Sequence, residues 1–219
     1  MSHFSDSPAH TFGTGGTTGG NMRQRLGSAW VGGFRLLVAL VGAMWLLEAV
    51  DWTLGGQLDG LGIQARNPNA MHGIVFAPFL HAGFGHLISN TVPLLVLGAM
   101  IAFDGASRLL LVTAVTGLVS GAGAWLLSPP FSVTVGASGV VFGFAAYLIV
   151  RGVFNRRIGQ IVVGVLVVLT WGSSLLVGML PQGGGISWQG HLFGAVGGVL
   201  VAWLLSSRDR KVRRPASAW

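Results

Sequence analysis

Six long runs of apolar residues alternate with short polar or basic segments along the chain. Each run has roughly the 17–25 residues that an α-helix needs to cross a bilayer. Glycine is frequent inside the runs, which is typical of membrane helices that pack closely together. The pattern predicts an all-α membrane protein with six transmembrane helices, at about 31–54, 84–102, 108–127, 137–153, 159–180 and 187–206.

The segments outside the runs divide the chain into three parts. Residues 1–25 are rich in Ser, Thr and Gly and predict a disordered N-terminal tail. The membrane domain is predicted at 26–207, and a basic tail follows at 208–219. The first loop, at about 55–83, is the only long connection and contains many apolar residues. We therefore expect it to lie in the membrane interface or against the bundle.

Composition agrees with a membrane protein and narrows the chemistry. Charged residues make up 9% of the chain and hydrophobic residues 52%, whereas a soluble domain is about 25% charged. The chain has no cysteine, which excludes disulfides, thiol nucleophiles and thiolate metal ligands. The net charge of +7 does not indicate nucleic acid binding, because the basic residues lie at the ends of apolar runs.

The distribution of basic residues predicts the topology. If the N-terminus is cytoplasmic, six spans place twelve of the thirteen Lys and Arg residues on the cytoplasmic side and leave only Arg66 outside. Positive charge is enriched in cytoplasmic loops. We therefore expect a multi-pass protein of the plasma membrane with both termini in the cytoplasm.

Polar side chains gather at the starts of the second, fourth and sixth runs, which this topology places on the outer side. The second run carries His86 and Asn90, the fourth Ser138, and the sixth His191. A serine and a histidine at the same depth are the minimum parts for a nucleophile with a general base. Taken alone, Ser138 is more typical of helix packing than of catalysis, because it lies in the small-residue patch Gly136-Ala137-Ser138-Gly139.

Three features strengthen the catalytic interpretation. Gly190, Gly194 and Gly198 form a smooth face beside His191, along which a neighbouring helix can approach closely. Phe142 lies one turn after Ser138 and could pack against the imidazole. His86 and Asn90 share a helix face and can donate hydrogen bonds to an oxyanion.

A metal site is the alternative use of the histidines. His81, His86 and His191 could form a three-histidine zinc site. Carboxylates are nearly absent from the runs and the motif H-E-x-x-H does not occur, so we expect no metal and no other cofactor.

The polar motifs together resemble those of rhomboid intramembrane serine proteases. The stretch from Pro78 to Asn90 resembles the family's second-helix motif, Gly136-Ala137-Ser138-Gly139 its nucleophile motif, and Gly190-His191 with Gly194 its general-base motif. The likeness covers about 84–206 and reaches back through the first loop from Gly62. Phe142 stands where some members carry Tyr, and the Trp-Arg pair of some first loops is missing.

The resemblance implies a six-helix rhomboid-like bundle in which Ser138 is the nucleophile and His191 the general base. It implies an oxyanion hole formed by His86, Asn90 and the Ser138 backbone N–H, supported by His81, Gly136, Phe142 and Gly194. The implied substrates are transmembrane segments of membrane proteins, with the lipid bilayer as the surroundings. We also expect the fifth span and the loop at 181–185 to move when substrate enters.

Two other functions remain open from the sequence. A rhomboid-like protein that binds membrane clients without cutting them would be expected to lack Ser138 or His191, and both are present. A small transporter or channel would be expected to show internal repeats or intramembrane carboxylates, of which the sequence offers little.

Overall fold

The structure, a computed structural model, describes residues 18–181 and 185–211, with side chains described for 27–181 and 185–206. Predictions that concern 1–17, 182–184 and 212–219 therefore lie outside the described residues. These include most of the N-terminal tail, the centre of the loop at 181–185 and the end of the basic tail.

Within the described residues, six helices are long and apolar enough to cross a membrane, which confirms the predicted all-α membrane bundle. Every backbone N–H and C=O in the hydrocarbon region must be satisfied internally, and a helix does this within one segment. The six helices are α1 (Thr18–Thr53), α3 (Phe84–Ala102), α4 (Ala106–Leu127), α5 (Ser138–Asn155), α6 (Ile158–Gly178) and α7 (Trp188–Lys211). Shorter elements lie in or beside the first loop. They are three 3₁₀ helices (Leu58–Leu61, Pro68–Ala70 and Ala77–Phe79), the short helix α2 (Gly73–Phe76), and the strands β1 (Ile63–Gln64) and β2 (Val133–Thr134).

The helix boundaries differ from the sequence expectation mainly at the two ends of the bundle. Helix α1 begins at Thr18, inside the segment predicted to be a disordered tail, and α7 continues to Lys211, inside the predicted basic tail. Adding a residue to an existing helix gains one hydrogen bond for each residue fixed. Neither extension contains a proline, the residue that most strongly breaks a helix.

Helix α5 lies at the centre of the bundle and α6 at its edge. In the most apolar 18-residue stretch of α5, 61% of the residues are buried, whereas in the corresponding stretch of α6 only 11% are buried. The buried residues of α5 include Phe144, Tyr147 and Leu148. Helix α5, which begins at Ser138, packs on four other spans, α3, α4, α6 and α7.

The first loop folds back onto the bundle. Strand β1 pairs antiparallel with β2, with Ile63 opposite Thr134. The Trp125 indole N–H donates to the Asn67 carbonyl at 3.2 Å, and the Arg66 amide donates to the Trp125 carbonyl at 2.9 Å. These bonds join the loop to the end of α4, and through β2 to the segment that leads into α5. They anchor a first loop that lacks the Trp-Arg pair of some rhomboid sequences.

Candidate active site

Ser138 and His191 meet where the first turns of α5 and α7 lie side by side. The Nε2 atom of His191 is 2.8 Å from Oγ of Ser138, within hydrogen-bond distance. His191 is buried, with 8% of its surface exposed, and Ser138 is half-buried. Ser138 is the first residue of α5, so its own N–H is among those that the helix leaves without an intrahelical acceptor.

Glycines on both helices make this approach close. A Cβ atom at Gly194 would collide with the carbonyl group of Gly139, and one at Gly198 with that of Gly143. On its other side, Gly139 contacts Ser120 of α4. Only hydrogen atoms fit between these backbones, so α5 and α7 pack at the short distance that brings the two side chains together.

Two contacts hold the His191 ring in one orientation. Its Nδ1 atom is 2.9 Å from the carbonyl oxygen of Gly178, the last residue of α6. A carbonyl can only accept a hydrogen bond, so Nδ1 carries the proton and Nε2 is left to accept one. The ring also stacks on Phe142, with the ring centroids 4.0 Å apart and the planes 8° from parallel.

His86 lies against the segment that precedes the serine. A Cβ atom at Gly136 would be 2.6 Å from Cε1 of His86, and the φ angle of Gly136 is +115°. A side chain is thus excluded both by space and by backbone conformation. Glycine at 136 therefore lets the imidazole of His86 approach the segment that leads into Ser138.

Asn90 lies one turn further along α3 and is buried, with 5% of its surface exposed. Its side-chain amide donates to the carbonyl oxygen of His86 at 3.0 Å. The amide has two N–H groups, so this bond leaves the second available. The structure thus places His86 beside the Ser138 segment and Asn90 immediately behind His86.

His81 connects the first loop to the same segment. Its Nε2 atom accepts a hydrogen bond from the backbone N–H of Ala137 at 3.3 Å, and the Gly136 N–H donates to the Ala77 carbonyl at 2.8 Å. Burial, followed by the proximity of His86, lowers the pKa of His81 to about 4. His81 is therefore neutral at pH 7, as a hydrogen-bond acceptor must be.

A cavity of about 20 Å³ adjoins Ser138 and His191, and one water molecule needs roughly 10–15 Å³. Besides Ser138, the residues that line the cavity include three with hydroxyl groups: Ser120, Thr134 and Ser187. Ser120 also donates to the carbonyl of Gly190 at 2.8 Å, which ties α4 to the start of α7.

Among the described residues, His81, His86 and His191 are not arranged as a three-histidine metal site. Within the part of the chain that the structure describes, no three His, Cys, Asp or Glu side chains lie together in a way that could hold a metal ion. The rings of His81 and His86 lie near each other, with centroids 5.2 Å apart, but His191 faces Ser138 instead. The geometry gives no support to the metal alternative.

Sequence reasoning missed two contributors to this site. The Gly178 carbonyl is a backbone group, and no pattern of side chains marks it. Ser120 carried a weak signal, because it lies with Thr116, Gly117 and Gly121 on a small-residue face of α4, which is typical of close helix packing. The other predicted residues, His81, His86, Asn90, Gly136, Ser138, Phe142, His191 and Gly194, all lie at or beside the site.

Comparison with known proteins identifies the family. The family model described as Rhomboid domain matches residues 68–208. Uncharacterized protein Rv1337 of Mycobacterium tuberculosis is 42% identical over 191 residues, which cover 84% of this chain and 80% of that protein. Rhomboid-like protein 11, chloroplastic, of Arabidopsis thaliana is 34% identical over 68% of this chain and 59% of its own. Rhomboid protease GluP of Bacillus subtilis is 29% identical over 56% of this chain and 24% of its own. The family match covers more than half of the chain and includes every element of the site, so this six-span membrane protein belongs to the rhomboid family.

Proposed function

We propose that this protein is an intramembrane serine endopeptidase in which Ser138 is the nucleophile and His191 the general base. The observation that carries the proposal is the 2.8 Å hydrogen bond between His191 Nε2 and Ser138 Oγ, in a ring whose Nδ1 is already bonded to the Gly178 carbonyl. A histidine held in this tautomer can accept the serine proton without first reorienting.

In the acylation step, the Ser138 oxygen attacks the carbonyl carbon of the scissile peptide bond while its proton passes to Nε2 of His191. The resulting oxyanion accepts hydrogen bonds from the Ser138 N–H and from the side chains of His86 and Asn90. The N-terminus of α5 adds the positive end of a helix dipole. The His191 imidazolium then returns the proton to the leaving amine, and an acyl-enzyme remains.

The deacylation step needs water at a depth where the surroundings are apolar. The cavity of about 20 Å³ beside Ser138 and His191 has room for one molecule. Hydroxyl groups on its wall supply hydrogen-bond partners, which a buried water requires. His191 takes a proton from this water as it attacks the acyl-enzyme and then returns a proton to the Ser138 oxygen.

The substrates that fit this site are transmembrane segments of other membrane proteins. The site lies at the starts of α3, α5 and α7. The distribution of basic residues predicts that these starts face the outer side of the membrane, so we expect cleavage near the outer end of a substrate helix. Peptide bonds in a helix are shielded until it unwinds, which favours substrates with helix-breaking residues there. Helix α6, the least buried span, is our candidate for the element that moves to admit them. We place the protein in the plasma membrane with cytoplasmic termini and assign it no cofactor.

The test is cleavage of a generic single-span substrate by the purified protein in lipid vesicles. We expect the wild type to cleave, the Ser138→Ala and His191→Ala variants to be inactive, and EDTA to have no effect. Ser89→Ala is a matched control, because Ser89 is exposed on α3 and its hydroxyl donates to a carbonyl of the same helix, that of His86. Equal cleavage by all variants would identify a contaminating protease. No cleavage by any of them, over several substrates, would favour a protein that binds membrane clients without cutting them.

A further inference from the structure

A second, larger cavity lies beneath the first loop, between α1 and α4. Its volume is about 380 Å³, more than twice that of a roughly 150 Å³ apolar cavity known to bind benzene. Leu37 and Met44 of α1, Leu94 of α3, and Val140 and Phe144 of α5 form its floor. Each of these five side chains has less than 5% of its surface exposed.

The cavity offers nothing that would hold water. Among the described residues that line it, Thr113 carries the only polar side-chain group, a hydroxyl that donates to the Leu109 carbonyl of its own helix at 2.8 Å. A buried water needs two to four polar partners. An unfilled apolar cavity lowers stability in proportion to its volume, so an apolar occupant would stabilise the fold.

The position of the cavity determines which apolar molecule is available. Two of its walls are spans, α1 and α4, and the first loop covers it with Ile74, Pro78 and Phe79. Its rim carries Leu110 and Leu118 of α4, each more than half exposed on the face of a spanning helix. An opening at that depth faces lipid hydrocarbon. We propose that this cavity binds the acyl chain of a membrane lipid.

The acyl-chain site adjoins two segments that position the catalytic residues proposed above, the end of the first loop and the first two turns of α5. Pro78 and Phe79 of its cover lie between two anchors of the nucleophile segment, the Ala77 carbonyl that accepts from Gly136 and the His81 ring that accepts from Ala137. Val140 and Phe144 of its floor follow Ser138 in the first two turns of α5. A bound acyl chain would therefore pack against both the first loop and the first two turns of α5.

The experiment uses a phosphatidylglycerol with a photoreactive diazirine in one acyl chain, and separately a free fatty acid with the same group. Each probe is mixed into vesicles that contain the 219-residue protein, and the vesicles are irradiated. The protein is then digested, and the adducts are located by mass spectrometry. We expect adducts on Met44, Leu94 and Phe144, which bulk lipid cannot reach. Exposed residues such as Leu169 of α6, 77% exposed, report ordinary lipid contact.

Ala114→Phe is the blocking variant, because Ala114 is an exposed residue on the wall of the cavity. We expect it to lose the floor adducts and to keep the adduct on Leu169. Leu111→Phe is the matched control: Leu111 is an exposed leucine of the same helix that does not line the cavity, and the variant should keep both. Leu118→Trp provides a second blocking variant in case Ala114→Phe does not fold.

Floor adducts from the phosphatidylglycerol probe support the site. Floor adducts from the free fatty acid alone would overturn the proposal that the occupant is a membrane lipid. Adducts confined to exposed residues, or floor adducts that persist in both folded blocking variants, would overturn it. Displacement of the label by a single-span peptide in the Ser138→Ala variant would also overturn it, because the cavity would then hold substrate. Labelling requires no proteolysis, so the result stands apart from the proposed protease activity.

Discussion

The glycine contact between α5 and α7 gives the sharpest prediction, because it determines how closely Ser138 and His191 approach. The change is Gly194→Ala, which adds a single methyl group. The new Cβ would lie 2.8 Å from the carbonyl carbon of Gly139 and 3.1 Å from its Cα, and closer still to the carbonyl oxygen. Both partners are backbone, so no side chain can rotate out of the way.

The magnitude follows from the distance that α7 must move. Van der Waals contact between heavy atoms needs about 3.5 Å, so α7 must withdraw by roughly 1 Å. Moving the 2.8 Å bond between His191 and Ser138 by that distance takes it beyond the ~3.2 Å limit of a hydrogen bond. A misplacement of about 1 Å can lower the rate about 100-fold, which corresponds to about 2.7 kcal/mol of transition-state stabilisation. We expect this loss in kcat rather than in KM, because the substrate contacts are unchanged.

The assay has two readouts on reconstituted protein. Cleavage of a single-span substrate gives kcat and KM, and the rate of Ser138 labelling by a fluorophosphonate reports the reactivity of the serine without a peptide substrate. Both should fall in Gly194→Ala. Gly42→Ala and Gly172→Ala are the controls, since a Cβ at Gly42 has no neighbour within 4 Å and one at Gly172 has only a side-chain methyl at 3.4 Å.

One result would refute this reasoning: a folded Gly194→Ala protein, with the wild-type Tm, that cleaves and is labelled at the wild-type rate. The bundle would then absorb a methyl group between α5 and α7 without separating Ser138 from His191. A variant that loses both Tm and activity is uninformative by itself, so the comparison is made at a temperature where every variant is folded.

Two further predictions concern the neighbours of the proposed dyad. Phe142→Ala removes the ring stacked on His191 and should lower kcat about two- to thirteenfold, since such pairs contribute about 0.5–1.5 kcal/mol. Phe142→Tyr should retain activity, and an equal kcat in the wild type and both variants would exclude a role for the stack. His81 has a pKa of about 4 in the fold and about 6.5 when unfolded. The stability that comes from its neutral form is therefore complete above about pH 6.5 and is lost as the pH falls towards about 4, by as much as about 3 kcal/mol. Thermal unfolding should show a steeper loss of Tm over this range in the wild type than in His81→Gln, and parallel curves would contradict the assignment.

The sequence predicts the spans well because each depends on a local property. An apolar run of the right length is a helix wherever it lies in a bilayer, so α3 was predicted with the bounds Phe84–Ala102 that the structure has. The ends of α1 and α7 were predicted less well. Outside the hydrocarbon, polarity no longer separates helix from coil, and the helices continue through polar residues to Thr18 and Lys211.

The same difference applies to the site: its side chains could be predicted from the sequence, whereas its backbone contributions could not. Ser138, His191, His86 and Asn90 could be found from the sequence because each is a polar side chain at the start of an apolar run. The β1–β2 pair and the Gly178 carbonyl could not, since two-residue strands have no periodicity and a carbonyl has no residue type. Both depend on contacts between different segments, Ile63 with Thr134 across the loops and Gly178 with His191 across two consecutive helices.

The Gly178 carbonyl explains how a histidine in this position could serve as a base without an acidic partner. In soluble serine proteases a buried carboxylate orients the imidazole and stabilises its charged form, but a carboxylate at membrane depth is costly. The last carbonyls of a helix have no intrahelical donor and carry the negative end of its dipole. The carbonyl at the end of α6 can therefore orient His191 and stabilise its imidazolium without adding a net charge. Glycine suits the position, because a Cβ at 178 would lie 2.5 Å from Cζ of Phe142 and would push aside the ring that stacks on the same imidazole.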